Sequence, residues 1–110
     1  MKYLMLVCAD ASAEPYDPAQ DNVESWVTEM DSKGVRLLGD RLATMKSVKT
    51  VKRRNGSVIV TDGPFVESKE VIVGFDVLEC GNINEAVEVA AKHPMARFGS
   101  IEVRPSWTVD

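Results

Sequence analysis

The sequence has few of the residues on which metalloproteins and disulfide-rich proteins depend. It contains one histidine and two cysteines in 110 residues, and Cys8 and Cys80 lack the spacing of a zinc site or a disulfide framework. Both cysteines lie in apolar, strand-like segments, so we predict buried free thiols. A single histidine among scattered carboxylates also predicts no metal site.

Long hydrophobic runs are absent as well. No apolar segment is long enough to cross a bilayer, and residues 2–8 lack the length and the small-residue cleavage site of a signal peptide. We therefore predict a cytoplasmic protein that does not enter the membrane. No glycine-rich phosphate loop precedes a helix and no serine nucleophile elbow occurs, which predicts that there is no bound cofactor.

Basic residues are fewer than acidic residues. The formal net charge of −4 disfavours nonspecific nucleic-acid binding, although residues 46–54 form a local basic run. That run has no interleaved aromatic residues on which bases could stack, and its alternating pattern is typical of an exposed edge strand. We predict no nucleic-acid partner.

The composition is that of an ordinary globular domain, with 45% apolar and 27% charged residues. A chain of 110 residues is large enough for one core and too small for two. We predict a single domain over residues 1–110.

The pattern of apolar residues predicts where the first strand and the first helix lie. Residues 3–8 are apolar at nearly every position, which predicts a central strand covered on both faces. A helix is predicted to start at Asp17-Pro18-Ala19-Gln20, with Asp17 as its N-cap, and to end at Gly34. Its apolar stripe consists of Val23, Trp26, Val27 and Met30.

The second half of the chain is richer in strands. Strands are predicted at 35–42, 48–53, 58–61, 71–80 and 99–104, and Asn55-Gly56 is a strong hairpin signal between two of them. Asn82 and Glu85 predict a capping box for a second helix, which Pro94 ends. The apolar stripe of that helix consists of Ile83, Ala86, Val87, Ala90 and Ala91.

This order predicts an α+β fold with a ferredoxin-like antiparallel sheet and both helices on one face. A sheet covered on one side should show clean alternation, yet residues 3–8 and 71–73 are apolar on both sides. Packing against a second copy is the simplest cover for the other face. We therefore predict a homodimer formed through the sheet.

The segment Thr61-Asp62-Gly63-Pro64-Phe65 must turn, because glycine permits unusual backbone angles and proline restricts its own and the preceding residue. It is followed by Glu67-Ser68-Lys69-Glu70. One interpretation is a structural turn with a solvated tail. The other is a pocket wall, in which Pro64 and Phe65 partly desolvate Asp62 and fit it to act as a general base.

Four other residues are candidates for a site. His93 titrates near neutrality and suits proton transfer, but it also suits a helix end, where it would stabilise the carbonyl-rich terminus. Glu102 and Arg104 share the strand face opposite Ile101. Either Arg104 binds an anionic ligand beside Glu102, or the two residues form an ion pair that locks the dimer. Arg41 is a second candidate for anion binding.

Four segments occur together in this sequence: 60–65 (VTDGPF), 67–70 (ESKE), 74–75 (GF) and 99–105 (GSIEVRP). Their combination resembles the DGPF branch of the YCII-related family over nearly the whole chain. The resemblance implies a ferredoxin-like subunit that forms a dimeric α+β barrel, with a cleft between the sheet and its partner. It also implies elimination chemistry of the lyase or dehydrohalogenase type.

The wider family is associated with a proposed His-Asp pair, with the histidine on the first helix and the aspartate before a proline near the end of the second. In this sequence the first-helix position falls near Asn22 or Val23, and His93 rather than an aspartate precedes Pro94. The pair therefore does not carry over residue by residue.

Two functional hypotheses follow. The first is a small cofactor-free enzyme that transfers protons on a compact, anionic organic molecule, with Asp62 or His93 as the acid-base group and Arg104 or Arg41 orienting the substrate beside Phe65 and Glu102. The second is a noncatalytic, dimeric ligand-binding or accessory module.

Overall fold

The computed structural model describes residues 1–63 and 71–107, and this part of the chain contains six strands and three α-helices. Their bounds, in chain order, are β1 Lys2–Ala9, α1 Val23–Ser32, β2 Arg36–Arg41, β3 Lys49–Arg54, β4 Ser57–Asp62, β5 Val71–Glu79, α2 Ile83–Ala91, α3 Met95–Phe98 and β6 Ser100–Pro105. No helix in the described ranges is long and apolar enough to cross a membrane.

Four of the strands form the main sheet, in the order β2-β5-β1-β6. Every neighbouring pair is antiparallel, and β1 lies inside the sheet, as its apolar sequence predicts. The predicted α+β fold with a ferredoxin-like antiparallel sheet is therefore confirmed.

One face of this sheet holds the core. Alternate residues of β1, namely Tyr3, Met5 and Val7, are buried there. Trp26 and Met30 of α1 pack onto the same core, and so do the buried residues of α2. The two helices thus lie on one face, as predicted, and they are joined by a hydrogen bond of 2.9 Å from the Trp26 indole N–H to the Val89 carbonyl.

The opposite face of the sheet is open in the single chain. Leu4 is 37% exposed, and Leu6 is half-buried. Glu102 and Arg104 stand opposite Leu6 and Leu4 in the β1-β6 register, while Ile101 and Val103 pack on the core as expected. The predicted cover on both faces of β1 is therefore not provided by this chain alone.

The first helix starts later than the sequence predicts. Asp17 does cap a turn, since its Oδ1 accepts the Ala19 N–H at 3.0 Å, but that turn is a 3₁₀ helix that ends at Gln20. Asp21 is extended, with φ −86° and ψ 104°, which separates the turn from α1. Gly34 has φ +69° and follows the helix, as predicted.

The second helix is rotated relative to the predicted stripe. Its cap is confirmed by the Asn82 Oδ1 atom, which accepts the Glu85 N–H at 2.9 Å. Val87, however, is 50% exposed and Ile83 is 40% exposed. The helix buries Ala86 and Ala90, as predicted, together with Val89, which was not part of the predicted stripe.

Strands β3 and β4 form a two-stranded sheet of their own. They are joined by the predicted Asn55-Gly56 turn, in which both residues have positive φ, 50° and 78°. This geometry matches the twist of the flanking strands. The predicted basic run lies in β3, whose partner strand is β4.

Candidate functional site

A cleft of about 680 Å³ opens on the helix-covered side of the sheet. Its walls come from the segment before α1, the inner side of α1, the ends of β2 and β5, the loop after β2 and the turn that leads into α3. The cleft has the size of a small-molecule site. The polar and charged residues that line it include Tyr16, Asp21, Arg36, Arg41, Asp76 and His93.

His93 is held at the wall of the cleft in a defined orientation. Its Nδ1 atom accepts the Met95 N–H at 3.0 Å, and its ring meets the edge of Trp26 with centroids 4.7 Å apart. Because Nδ1 is an acceptor, the proton of the neutral ring is on Nε2. Two independent contacts therefore fix both the position and the tautomer of this imidazole.

The charge state of His93 follows from its burial. The side chain is buried, which lowers its pKa from 6.5 to about 4, and the Asp21 carboxylate opposes that shift. Desolvation disfavours the imidazolium form, so the ring is neutral at pH 7. In that form His93 can donate a hydrogen bond from Nε2 to an oxygen of a ligand.

Asp21 is the carboxylate that faces His93 from the entrance to α1. Its Oδ2 atom accepts the Tyr16 hydroxyl at 2.5 Å, and its Oδ1 atom accepts the Val23 N–H at 3.0 Å. The Tyr16 hydrogen bond is the largest reason why the pKa of Asp21 is lowered, with His93 and Arg41 adding to it. A carboxylate stabilised in this way stays ionised and is a weak base.

Arg36 and Asp76 form the polar floor of the cleft. The Arg36 Nε atom lies 2.7 Å from Asp76 Oδ1, and the same guanidinium donates to Asp31 at 3.1 Å and to the Gly39 carbonyl at 3.1 Å. Burial raises the pKa of the Asp76 carboxyl, and the Arg36 charge opposes it. Among the described residues, none donates a hydrogen bond to Asp76 Oδ2.

Gly39 makes room for that floor. It stands opposite Asp76 in the β2-β5 register, and a methyl group at this position would overlap the Asp76 carboxylate and lie 2.8 Å from the Phe75 carbonyl. The glycine is required by this close approach rather than by its backbone angles. Local sequence thus fixes where the buried carboxylate sits.

The structure brings together two of the predicted site residues. His93 and Arg41 line the same cleft, and Arg41 is exposed at its mouth. Asp62 is not among the lining residues: its side chain is 85% exposed and pairs with Lys49. Glu102 and Arg104 lie on the open face of the sheet, and Phe65 is outside the described residues.

Sequence reasoning missed Tyr16, Asp21, Arg36 and Asp76. Asp76 carried a usable signal, because it is the one acidic residue within the apolar run of residues 71–78 and a buried charge needs a partner. Asp21 carried none, since an aspartate before a helix reads as an ordinary start signal. Within the described ranges, no three His, Cys, Asp or Glu side chains group in a way that could hold a metal ion.

The antiparallel sheet, the one-sided helices and the cleft beneath α1 define a ferredoxin-like α+β protein with a small-molecule-sized site. The family profile for the YCII-related domain matches residues 1–109. The chain belongs to the YCII-related family.

The chain is also similar to a curated protein of a bacterium. An uncharacterised protein of Rhizobium meliloti (strain 1021) is 39% identical over 67 residues, which is 59% of this chain and 54% of the relative. The match thus spans about half the length of that protein.

Proposed function

We propose that the protein is a small enzyme that carries out acid-base chemistry on a compact organic anion in the cleft, without a cofactor. The observation that carries the proposal is the presence, in one concave site, of a neutral imidazole, a buried carboxylate of raised pKa and an exposed arginine. Groups whose environments shift their pKa values in this way are typical of acid-base sites.

Each of the three groups has a distinct role. Arg41 binds the anionic group of the substrate at the mouth of the cleft through its planar donor fork. Asp76, through Oδ2, accepts a proton from carbon, since its raised pKa suits it better to this task than Asp21. His93, through Nε2–H, stabilises the oxygen on which negative charge develops.

This division of roles supports the elimination or lyase-type chemistry that the family resemblance implies. In such an elimination the C–H bond breaks and its proton moves to the carboxylate. The C–H electron pair forms a new C=C bond, and the leaving group on the neighbouring carbon departs with the electron pair of its own bond. In the proposed pair of the wider family, the histidine lies on the first helix and the aspartate precedes the proline. In this chain Asp21 precedes the first helix and His93 precedes the proline, so the two residue types have exchanged places.

A noncatalytic ligand-binding module is the second candidate. It is favoured by the fact that the Tyr16-Asp21 and Arg36-Asp76 pairs already satisfy one another. Such pairs hold a pocket in shape without any proton transfer.

Paired substitutions of Arg41 and Asp76 test the two candidates. NMR titration with a panel of two- to six-carbon carboxylates is expected to show binding that Arg41→Gln weakens about tenfold or more, the typical effect of losing a charged hydrogen bond. Asp76→Asn is expected to keep that binding but to lower turnover by about 10²–10⁴-fold. Turnover is read from the disappearance of substrate protons in D₂O.

Arg104→Gln is the matched control, because Arg104 lies on the open face of the sheet and not in the cleft. Its affinity for the same carboxylates should equal that of the wild type. Binding without turnover in the wild type would support the ligand-binding module, and loss of binding in Arg104→Gln alone would move the site to the open face.

We also propose that the open face of the sheet pairs with the same face of a second copy. Leu4 and Leu6 supply its apolar part, and their cross-strand neighbours Arg104 and Glu102 supply opposite charges side by side. A twofold axis can set Glu102 of one copy against Arg104 of the other, so the surface is complementary to itself.

Leu4→Glu is expected to turn the dimer into a monomer, because it places a charge at the apolar part of the paired faces. Sedimentation velocity measures the change in mass, and far-UV circular dichroism checks that the fold is kept. A variant that stays dimeric at the same concentrations would contradict pairing through this face.

A further inference from the structure

The β3-β4 hairpin presents an exposed apolar face. Val51, Val58 and Val60 lie on one side of it by register and are 66%, 56% and 58% exposed. Lys49, Arg53 and Asp62 share that side, and Lys49 forms an ion pair with Asp62. Three exposed, adjacent valines beside the Arg53 guanidinium form a surface that is complementary to an apolar one that carries an acidic group.

The other side of the hairpin is covered only in part, since Ile59 on that side is 43% exposed. Thr50 and Lys52 are half-buried, and the Thr50 hydroxyl donates to the Gly63 carbonyl at 2.6 Å. A two-stranded hairpin by itself is only marginally stable in water and needs an apolar face packed on something else. The valine side exposes three apolar side chains and the other side exposes Ile59, so the valine side has the greater need of a packing partner.

Charge indicates what that partner is. Residues 49–62 contain four basic residues and one acidic residue, a net charge of +3, whereas the whole chain has −4, which leaves −7 for the remainder. A basic hairpin on an acidic chain is attracted to another copy of the same chain. The hairpin offers no aromatic residue on which nucleic-acid bases would stack.

A matching surface exists on α2. Ile83 and Val87 are one helical turn apart and are 40% and 50% exposed. Glu88 lies exposed beside them. This stripe has the apolar periodicity of a buried face, yet the residues that the structure describes leave it exposed.

We propose that the valine side of the β3-β4 hairpin docks on the outer stripe of α2 in a second copy of this chain. The three valines cover Ile83 and Val87, and Arg53 lies near Glu88. This contact is separate from pairing through the open sheet face and independent of the chemistry in the cleft.

Sedimentation velocity across a concentration series tests the contact. Val51→Asp and Val87→Asp are each expected to raise the dissociation constant of one association step by about tenfold or more, equivalent to about 1.4 kcal/mol. Thr28→Asp, on the exposed side of α1, is the control and should leave every step unchanged. Because Val87 is distant in sequence from the hairpin, its result does not depend on the hairpin tolerating an aspartate.

Exchanging the charges of Arg53 and Glu88 tests whether these two residues meet in the contact. Arg53→Glu and Glu88→Arg are each expected to weaken the same step by about threefold or more, and the double variant should recover most of the loss. Unchanged association in both Val51→Asp and Val87→Asp would overturn the proposal. A second result would also overturn the proposal. It is that the wild type binds a fluorescent single-stranded oligonucleotide, and that Arg53→Glu abolishes this binding without changing the association of the protein with itself.

Discussion

Replacing Gly39 with alanine is expected to lower the free energy of unfolding by about 3–5 kcal/mol, the range seen when one partner of a buried ion pair is lost. The added methyl group would overlap Asp76 Oδ1, the oxygen that Arg36 contacts. Either the carboxylate moves away from the guanidinium or β2 moves away from β5. Both outcomes leave a buried charge less well paired.

Urea unfolding followed by circular dichroism measures the effect. Gly81→Ala is the matched control, because a methyl group there would meet the end of the flexible Glu85 side chain at 3.0 Å. It should change stability by no more than about 0.5 kcal/mol, as surface substitutions usually do. If Gly39→Ala behaved like Gly81→Ala, the close approach between β2 and Asp76 would not exist in solution.

Acidification from pH 6.5 to pH 4 is expected to cost the wild type as much as about 3 kcal/mol more stability than it costs His93→Gln. The folded-state pKa of His93 is about 4 and its ordinary value is 6.5, so the unfolded chain binds the proton first as the pH falls. The stabilisation is therefore fully present above pH 6.5 and is lost as the pH approaches 4. His93 is only 7% exposed, so solvent screens this effect little.

The measurement is a set of urea unfolding curves between pH 7 and pH 4 for both proteins. Glutamine keeps an acceptor for the Met95 N–H but does not titrate, and Asp21, the carboxylate that faces His93, is present in both. Titration of the carboxylates that do not interact with His93 thus cancels in the difference. Parallel stability curves for the two proteins would show that the imidazole is not buried as a neutral group.

Sequence reasoning recovered the fold because its strongest signals are local. The nearly continuous apolar run of residues 3–8, the Asn55-Gly56 turn and the cap at Asn82 each fix a short segment whatever surrounds it. The start of α1 was misplaced because Asp17-Pro18 satisfies the rules for a helix start, and the chain uses them for a 3₁₀ turn instead. The competing feature was Asp21, whose side chain binds the Val23 N–H and starts α1 there.

The cleft was only partly predictable, because its parts meet through tertiary packing. His93 and Arg41 were identified as reactive residue types, but their neighbours Tyr16 and Asp21 are many residues away from His93 in sequence. The low pKa of His93 depends on burial by Trp26 and the helices, which no local pattern shows. Val87 illustrates the same limit, since it and Val89 are equally apolar and packing alone decides that Val89 faces the core.

The two margins of the main sheet bear on how the chain behaves at high concentration. Strand β2 is interrupted by an irregular register between Arg36 and Leu38 and carries charged residues at both ends, while β6 carries Glu102 and Arg104 and ends at Pro105. Charge, irregular register and proline each hinder strand addition from a neighbouring molecule. Growth of fibrils along these margins is accordingly disfavoured.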